Sequence, residues 1–208
     1  MNGSLTSLSD FNNFTSANFI STTFPKNHFS LLKQLGEAVK YKDIIEEASQ
    51  IFDFQSSIIA GLGSRESHWG LALRPRGPEG TGDFTPRVKI TQYRNSPLPP
   101  DGLGFGRGLL QIDFDHHEFA RTGNWKDPKE NIFYGCQLLF NNRKFLQQKF
   151  NLNSVQLIRA TLSSYNAHLS KIVRAIHRGY DIDFFTTKRD YSQDVLNRAG
   201  WFYLQGWS

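Results

Sequence analysis

Ile58-Ile-Ala-Gly-Leu-Gly-Ser-Arg-Glu-Ser-His-Trp69 is the stretch on which the reading of this chain turns. Ile59, Leu62, Glu66 and Trp69 recur at steps of three, four and three, the spacing that puts side chains on one face of a helix. A carboxylate on that apolar face is unusual, because glutamates are almost never fully buried unless something pairs with them or uses them. Desolvation there raises the carboxyl pKa and keeps the group protonated near neutral pH, as a general acid must be. The plain alternative is a helix end at which Glu66 turns to solvent and pairs with Arg65 or another base.

Outward from this helix the chain reads as mainly α. Ser56 or Ser57 is the expected N-cap. Before it, Leu31 to Val39 forms a short amphipathic segment, and Tyr41, Ile44, Ile45, Ala48, Ile51 and Phe52 give a helical stripe. After it, residues 72–104 break the pattern with Arg74-Pro-Arg-Gly-Pro-Glu-Gly-Thr-Gly82 and Ser96-Pro-Leu-Pro-Pro-Asp-Gly102, and Arg87 to Tyr93 alternates as a short strand does. Helices resume with Glu130 to Phe150. A stripe at Val155, Ile158, Leu162 and Tyr165 follows, capped at Ser154, then Lys171 to Arg178, then Tyr191, Val195, Ala199, Phe202 and Tyr203. The expected fold is mainly α, in the α+β class, with a small irregular or β element beside the Glu66 helix. Residues 1–30, rich in Ser, Thr, Asn and Phe, are expected to be a poorly ordered or wrapping arm. Residues 31–208 are expected to be one domain carrying the 72–104 insertion.

The length of 208 residues suits one domain plus an arm. No apolar run approaches a membrane span, and the first residues lack the basic and apolar regions of a signal peptide. Cys136 is the sole cysteine, so no intrachain disulfide forms, and its phase with Ile132, Leu139 and Phe140 places it in the core. A net charge of +5 favours polyanions, nucleic acid and bacterial cell wall alike. Lys171, Arg174, His177, Arg178, Lys188 and Arg189 fit solvated helix faces, and no nucleic-acid motif accompanies them.

Leu103-Gly-Phe-Gly-Arg-Gly-Leu-Leu-Gln-Ile-Asp113 is the second informative stretch. Gly104, Gly106 and Gly108 allow close approach of backbone to another chain or a ligand. Gln111 and Asp113 share parity on an extended run and are expected to face one side. The pattern matches neither a dinucleotide fingerprint nor a phosphate loop. A glycine-lined floor bearing Gln and Asp beside a protonated Glu suits a polar, uncharged polymer such as a sugar chain. Asp113-Phe-Asp-His-His117 has the composition of a metal site but not its spacing, so no metal and no cofactor is expected. Asp115 is expected to cap or orient the turn, and His117 to reach the cleft floor.

Ser64-Arg-Glu-Ser-His68, Gly106-Arg-Gly-Leu-Leu-Gln-Ile-Asp113 and Tyr165-Asn-Ala167, in that order, resemble goose-type lysozymes and the related soluble lytic transglycosylases. Asp190-Tyr-Ser-Gln-Asp-Val-Leu-Asn-Arg-Ala199 is similar to the last helix of the goose-type family, and the likeness covers roughly residues 40–206. The resemblance implies cleavage of the β-1,4 bond between N-acetylmuramic acid and N-acetylglucosamine in peptidoglycan, with Glu66 as general acid. Asp113 matches an aspartate that positions or activates the attacking water, and Asp101 lies one residue out of register with a second. Gln111, His68, Gly108 and His117 would contact the glycan. Tyr165 and Asn166 would sit beside Glu66, with the tyrosine hydroxyl bonded to it.

The chain departs from the family at His168, where glycine is usual, and at Arg107, where an aromatic residue is common. The 72–104 insertion is longer than in vertebrate members. It carries a surplus of two positive charges, lies between Glu66 and Asp113, and is expected to border the cleft and guide anionic glycan. Three alternatives stand beside a hydrolase: a transglycosylase in which the muramic 6-hydroxyl replaces water, a chitin-cleaving relative acting on chitooligosaccharides, and an inactive glycan-binding module. The expected setting is the cell wall, in the periplasm or outside the cell, reached by a route of export or lysis that the sequence does not display, with the cytoplasm as the alternative. The expected state is a monomer with no specific nucleic-acid partner.

Overall fold

The computed structural model describes residues 21–87 and 98–207. Its elements are helices α1 (Phe29–Ala38), α2 (Lys42–Phe52) and α3 (Ser56–Ser67), strands β1 (Thr81–Gly82), β2 (Gly106–Arg107) and β3 (Ile112–Asp113), and helices α4 (Glu118–Thr122), α5 (Pro128–Lys149), α6 (Ser154–Ala167), α7 (Leu169–His177) and α8 (Tyr191–Leu204). The strands form one antiparallel sheet in the order β1-β2-β3, with Thr81 opposite Arg107 and Gly106 opposite Asp113. This is the mainly helical fold with a small β element that the sequence implies. The sheet pairs one strand inside the insertion, β1, with two that follow it, β2 and β3. The strand expected from Arg87 does not start there, and its continuation, residues 88–93, lies outside the described residues.

Helix α3 is the axis of the molecule. Every residue from Ser56 to Ser64 is buried, so the helix is covered on all sides rather than along one stripe. Small residues make this possible. A Cβ on Gly61 would stand 2.7 Å from the Ala199 nitrogen and the Val195 oxygen of α8, so glycine is what lets these two backbones meet. The helix closes at Ser67, and His68 and Trp69 both take left-handed backbone angles, with φ of 52° and 55°. Trp69 therefore leaves the helix instead of extending its stripe. Its indole folds back over Gly63 and donates to the Ala60 carbonyl at 3.0 Å.

Capping differs from expectation by one residue at two helices. Gln55, not Ser56 or Ser57, precedes α3. Asn153 rather than Ser154 caps α6, in a reciprocal pair with Gln156. Asp127 caps α5, accepting from the Glu130 amide at 2.9 Å, with Pro128 in the first turn. On α8 the buried side includes Tyr191, Val195, Ala199, Trp201 and Phe202, while Tyr203 is exposed. Cys136 is fully buried, and burial pushes its thiol well above the ordinary range.

Residues 21–28 lie against α8. A Cβ on Gly200 would stand 2.5 Å from the Ser21 carbonyl, Trp201 donates to the Pro25 carbonyl at 2.9 Å, and Asn197 bonds the Thr23 amide at 2.7 Å. These contacts are all with α8. Residues 1–20 lie outside the described residues.

Candidate active site

Glu66 sits in the last turn of α3, where the otherwise enclosed helix reaches partial exposure. Burial raises its carboxyl to about 7, against the opposing influence of a hydrogen bond from Tyr191 and the nearby Arg65 charge. Arg65 does not pair with it. The guanidinium instead reaches Asp194 on α8 at 2.8 Å and Asp190, the residue just before α8, at 3.5 Å. The hydroxyl that bonds Glu66 belongs to Tyr191, at the start of α8. This corrects the assignment of that role to Tyr165, whose hydroxyl donates to the Leu110 carbonyl at 2.7 Å. Tyr165 nonetheless lies within electrostatic reach of Glu66, and burial followed by that carboxylate raises its phenol well above the usual range.

A cavity of about 650 Å³ opens beside Tyr165, lined among others by Gln111, Asp113, His117, Asn142, Asn166 and His168. Five sequence candidates thereby come together: Gln111, Asp113, His117, Tyr165 and Asn166. Gln111, at φ 51°, is anchored by donating to the Gly108 carbonyl at 2.7 Å, and its other amide atom lies against Gly82 and Gly106. Those glycines are required because a Cβ at either would collide with the Gln111 side chain. His117 pairs with the Tyr134 hydroxyl at 3.2 Å, and burial lowers its pKa. Asn166 accepts from the Thr187 amide at 2.9 Å.

Asp113 ends β3, and its Oδ1 accepts from the amides of Asp115 and His116 at 2.9 and 3.1 Å and meets His116 Nδ1 at 2.8 Å. Asp113 therefore organises the turn, the role expected of Asp115. Its Oδ2 receives Arg87 Nη2 at 2.6 Å. Burial alone would raise the Asp113 pKa, but the bonds from Arg87 and His116 outweigh it and hold the carboxyl below its ordinary value.

Three other candidates stand elsewhere. Asp101 is 46% exposed at its side chain and bound to Arg107 at 2.9 Å, outside the cavity lining. Arg107 is fully buried, its guanidinium 4.7 Å from the Phe114 ring centre and 5.3 Å from that of Trp125, so a stacked cation occupies this position. Gly108, at φ 68°, is pressed against Asn131 and the Trp125 carbonyl, which makes it a packing residue between the sheet and α5. His68 closes α3 and is half-buried among Arg198, Asp194 and Arg65. Burial lowers its pKa first, and the two arginines add to that.

Two residues of the site escaped sequence reasoning. Tyr191 reads as one more apolar position on the last stripe, and nothing local says that α8 delivers its hydroxyl to the end of α3. Arg87 lies in the irregular insertion, where spacing carries no information about contacts 26 and 28 residues away.

Glu66 does not itself line the cavity; it is coupled electrostatically to Tyr165, which does. A carboxyl raised to about 7 thus stands at a helix end close to the cavity wall, an arrangement of the kind a glycosidase uses. Sequence comparison specifies the class further. The profile of the family Lysozyme g matches residues 32–206. Lysozyme g of Gallus gallus is 30% identical over 177 residues, covering 84% of this chain and 69% of that protein. Lysozyme g of Struthio camelus is 31% identical over 170 residues, covering 81% and 68%. A membrane-bound lytic murein transglycosylase F 1 of Alkalilimnicola ehrlichii is 24% identical over 178 residues, 81% of this chain but 30% of that protein. The chain belongs to the lysozyme g family, whose members are glycoside hydrolases of the muramidase type.

The Tyr191 bond has a testable consequence. It stabilises the charged form of Glu66, so Tyr191→Phe is expected to raise the Glu66 pKa further. With Glu66 read as the general acid, as proposed below, its protonated form then persists to higher pH, and the alkaline limb of the rate profile is expected to move upward. A pH–kcat profile of the variant checks this.

Proposed function

We propose that this protein hydrolyses the β-1,4 bond between N-acetylmuramic acid and N-acetylglucosamine in peptidoglycan, with Glu66 as general acid and Asp113 orienting the attacking water. Glu66 gives its proton to the glycosidic oxygen as the bond to C1 breaks, and water closes on C1 with its proton leaving toward Asp113. The observation that carries this reading is the contrast between two carboxyls, one raised to about 7 by burial and one held low by Arg87 and His116. Gln111, Asn166 and His117 supply polar contacts along the cavity for the sugar chain. Among the described residues no helix is long and apolar enough to cross a membrane. The proposed place of action is the cell wall.

One observation favours the transglycosylase alternative. Asp113 already receives four hydrogen bonds, counting both ring and backbone donors, which weakens it as a base. The test is a comparison of Asp113→Asn with Asp101→Asn on purified sacculi. If water is handled at Asp113, its asparagine variant loses about 10²-fold or more in rate, while Asp101→Asn stays within a few-fold because its partner Arg107 lies outside the cavity lining. Equal activity in both variants would remove Asp113 from the mechanism.

A further inference from the structure

Arg87 gathers three carboxylates. Its Nη2 lies 2.7 Å from Asp83 and 2.6 Å from Asp113, and its Nη1 lies 2.9 Å from Asp115. The guanidinium is stacked on Phe105, 4.0 Å from its ring centre, and Phe105 is fully buried. Phe105 is in turn fixed by backbone bonds, its amide to the Asp83 carbonyl at 2.9 Å and its carbonyl to the Phe114 amide at 2.8 Å. A planar fork on an immobile ring differs from a surface lysine that guides substrate at long range. The charge expected to attract glycan is used inside the protein at this position.

We propose that Arg87 is a positioning residue, supplied by the insertion, that holds Asp113 in one orientation toward the cavity by tying it to Asp83 and Asp115. This rests on the reading of Asp113 as the group that orients water. The arrangement of bonds explains why an arginine is needed. Oδ1 of Asp113 is occupied by the turn it organises and by His116, so the aim of the cavity-facing carboxylate depends on what grips Oδ2, and that is Arg87. Without it, three carboxylates would crowd one turn and repel, and Asp113 would rotate away or take up a proton. The groups around Asp113 are Arg87 and Asp83 from the insertion, Asp115, His116 and His117 from its own turn, and Arg121 from α4, which donates to the Phe114 and Asp115 carbonyls. His168, at the α6–α7 junction, faces His116 with ring centres 6.5 Å apart. Of these, Arg87 is the cation in direct contact with Oδ2.

The experiment measures kcat and KM on a soluble N-acetylglucosamine hexamer from pH 4 to 9. It uses wild type, Arg87→Lys, Arg87→Ala, Asp113→Asn and the double variant Arg87→Ala/Asp113→Asn, each checked for cooperative thermal unfolding. Arg87→Ala is expected to lower kcat by about 10- to 100-fold, the cost of misplacing a catalytic group by an ångström or less. KM should change little, and the acid limb of the profile should move to higher pH because Asp113 then titrates higher. Arg87→Lys restores the charge and the acid limb but only part of kcat, since an ammonium on a flexible stem lacks the planar fork and the stacking on Phe105 that fix its direction toward Oδ2. In the Asp113→Asn background, Arg87→Ala should add no more than about twofold. Equal losses in both backgrounds would overturn the proposal, as would a wild-type kcat in Arg87→Ala alongside a crippled Asp113→Asn. Should Arg87→Ala fail to fold, Arg87→Lys decides, and wild-type kcat in that variant is the contrary result. Full activity of Asp113→Asn would instead remove the underlying reading of Asp113, and the proposal with it.

Discussion

Glu66→Gln is expected to lower glycan cleavage by at least ~100-fold, because glutamine keeps the shape and loses the transferable proton. The fold should survive and gain stability above neutral pH. The carboxyl titrates near 7 in the folded protein, well above its ordinary value of 4.5, because burial opposes its charge. A raised folded pKa means that the contribution of Glu66 to stability is fully present below about 4.5 and is lost as pH rises through about 7. Glutamine carries no such penalty. The thermal midpoint of the variant relative to wild type should therefore rise between pH 5 and pH 8. Rate assays and melting curves on the same preparations read both effects, and a near-normal rate would remove Glu66 from the chemistry.

The largest stability effect is expected at Asp183. This carboxylate is fully buried and accepts from the Ser163 hydroxyl at 2.7 Å, the Ser192 hydroxyl at 2.6 Å and the Ser192 amide at 3.0 Å, with Arg159 at 3.3 Å. It joins α6 to the first turn of α8, one residue from Tyr191. Asp183→Ala leaves those donors and the Arg159 charge without their shared acceptor, a loss of about 3–5 kcal/mol as for other broken buried pairs. Denaturant unfolding at pH 7 measures it. Burial alone would raise the Asp183 pKa, but the bonds from Ser163, Ser192 and Arg159 hold it below the ordinary value. Its stabilisation is therefore present above the unfolded pKa and lost as pH falls through the folded one. Wild type should weaken toward acid pH more steeply than Asp183→Ala. Because α8 carries Tyr191 to Glu66, the variant should also lose activity before it unfolds.

Much of the scaffold was legible because helical period and capping chemistry are local. Helix α5 was expected at Glu130 to Phe150 and runs from Pro128 to Lys149. Glu66 was legible for a physical reason, since a charge among Ile59 and Leu62 needs an explanation whatever the fold. The cause differed in detail: α3 is buried all round by small residues against α8, not along the stripe that ended at Trp69. What the sequence could not display was long-range pairing. The Tyr191 hydroxyl reaches Glu66 across 125 residues, and no periodicity reports which of two tyrosines points at the acid. At Gly108 the need for glycine comes from packing, since its φ is positive and a Cβ there would meet Asn131 and the Trp125 carbonyl, contacts that its spacing in the sequence does not display. Asp101, one residue out of register with the second family aspartate, pairs with Arg107, a partner that the sequence does not announce.

Mass spectrometry of the fragments released from purified sacculi tests the central claim most directly, with Glu66→Gln as the paired control. Hydrolysis driven by Glu66 and an oriented water predicts muropeptides with free reducing ends from wild type and almost none from the variant. Products ending in 1,6-anhydromuramic acid would show that the 6-hydroxyl attacks in place of water, and equal release by both proteins would contradict the assignment of Glu66 outright.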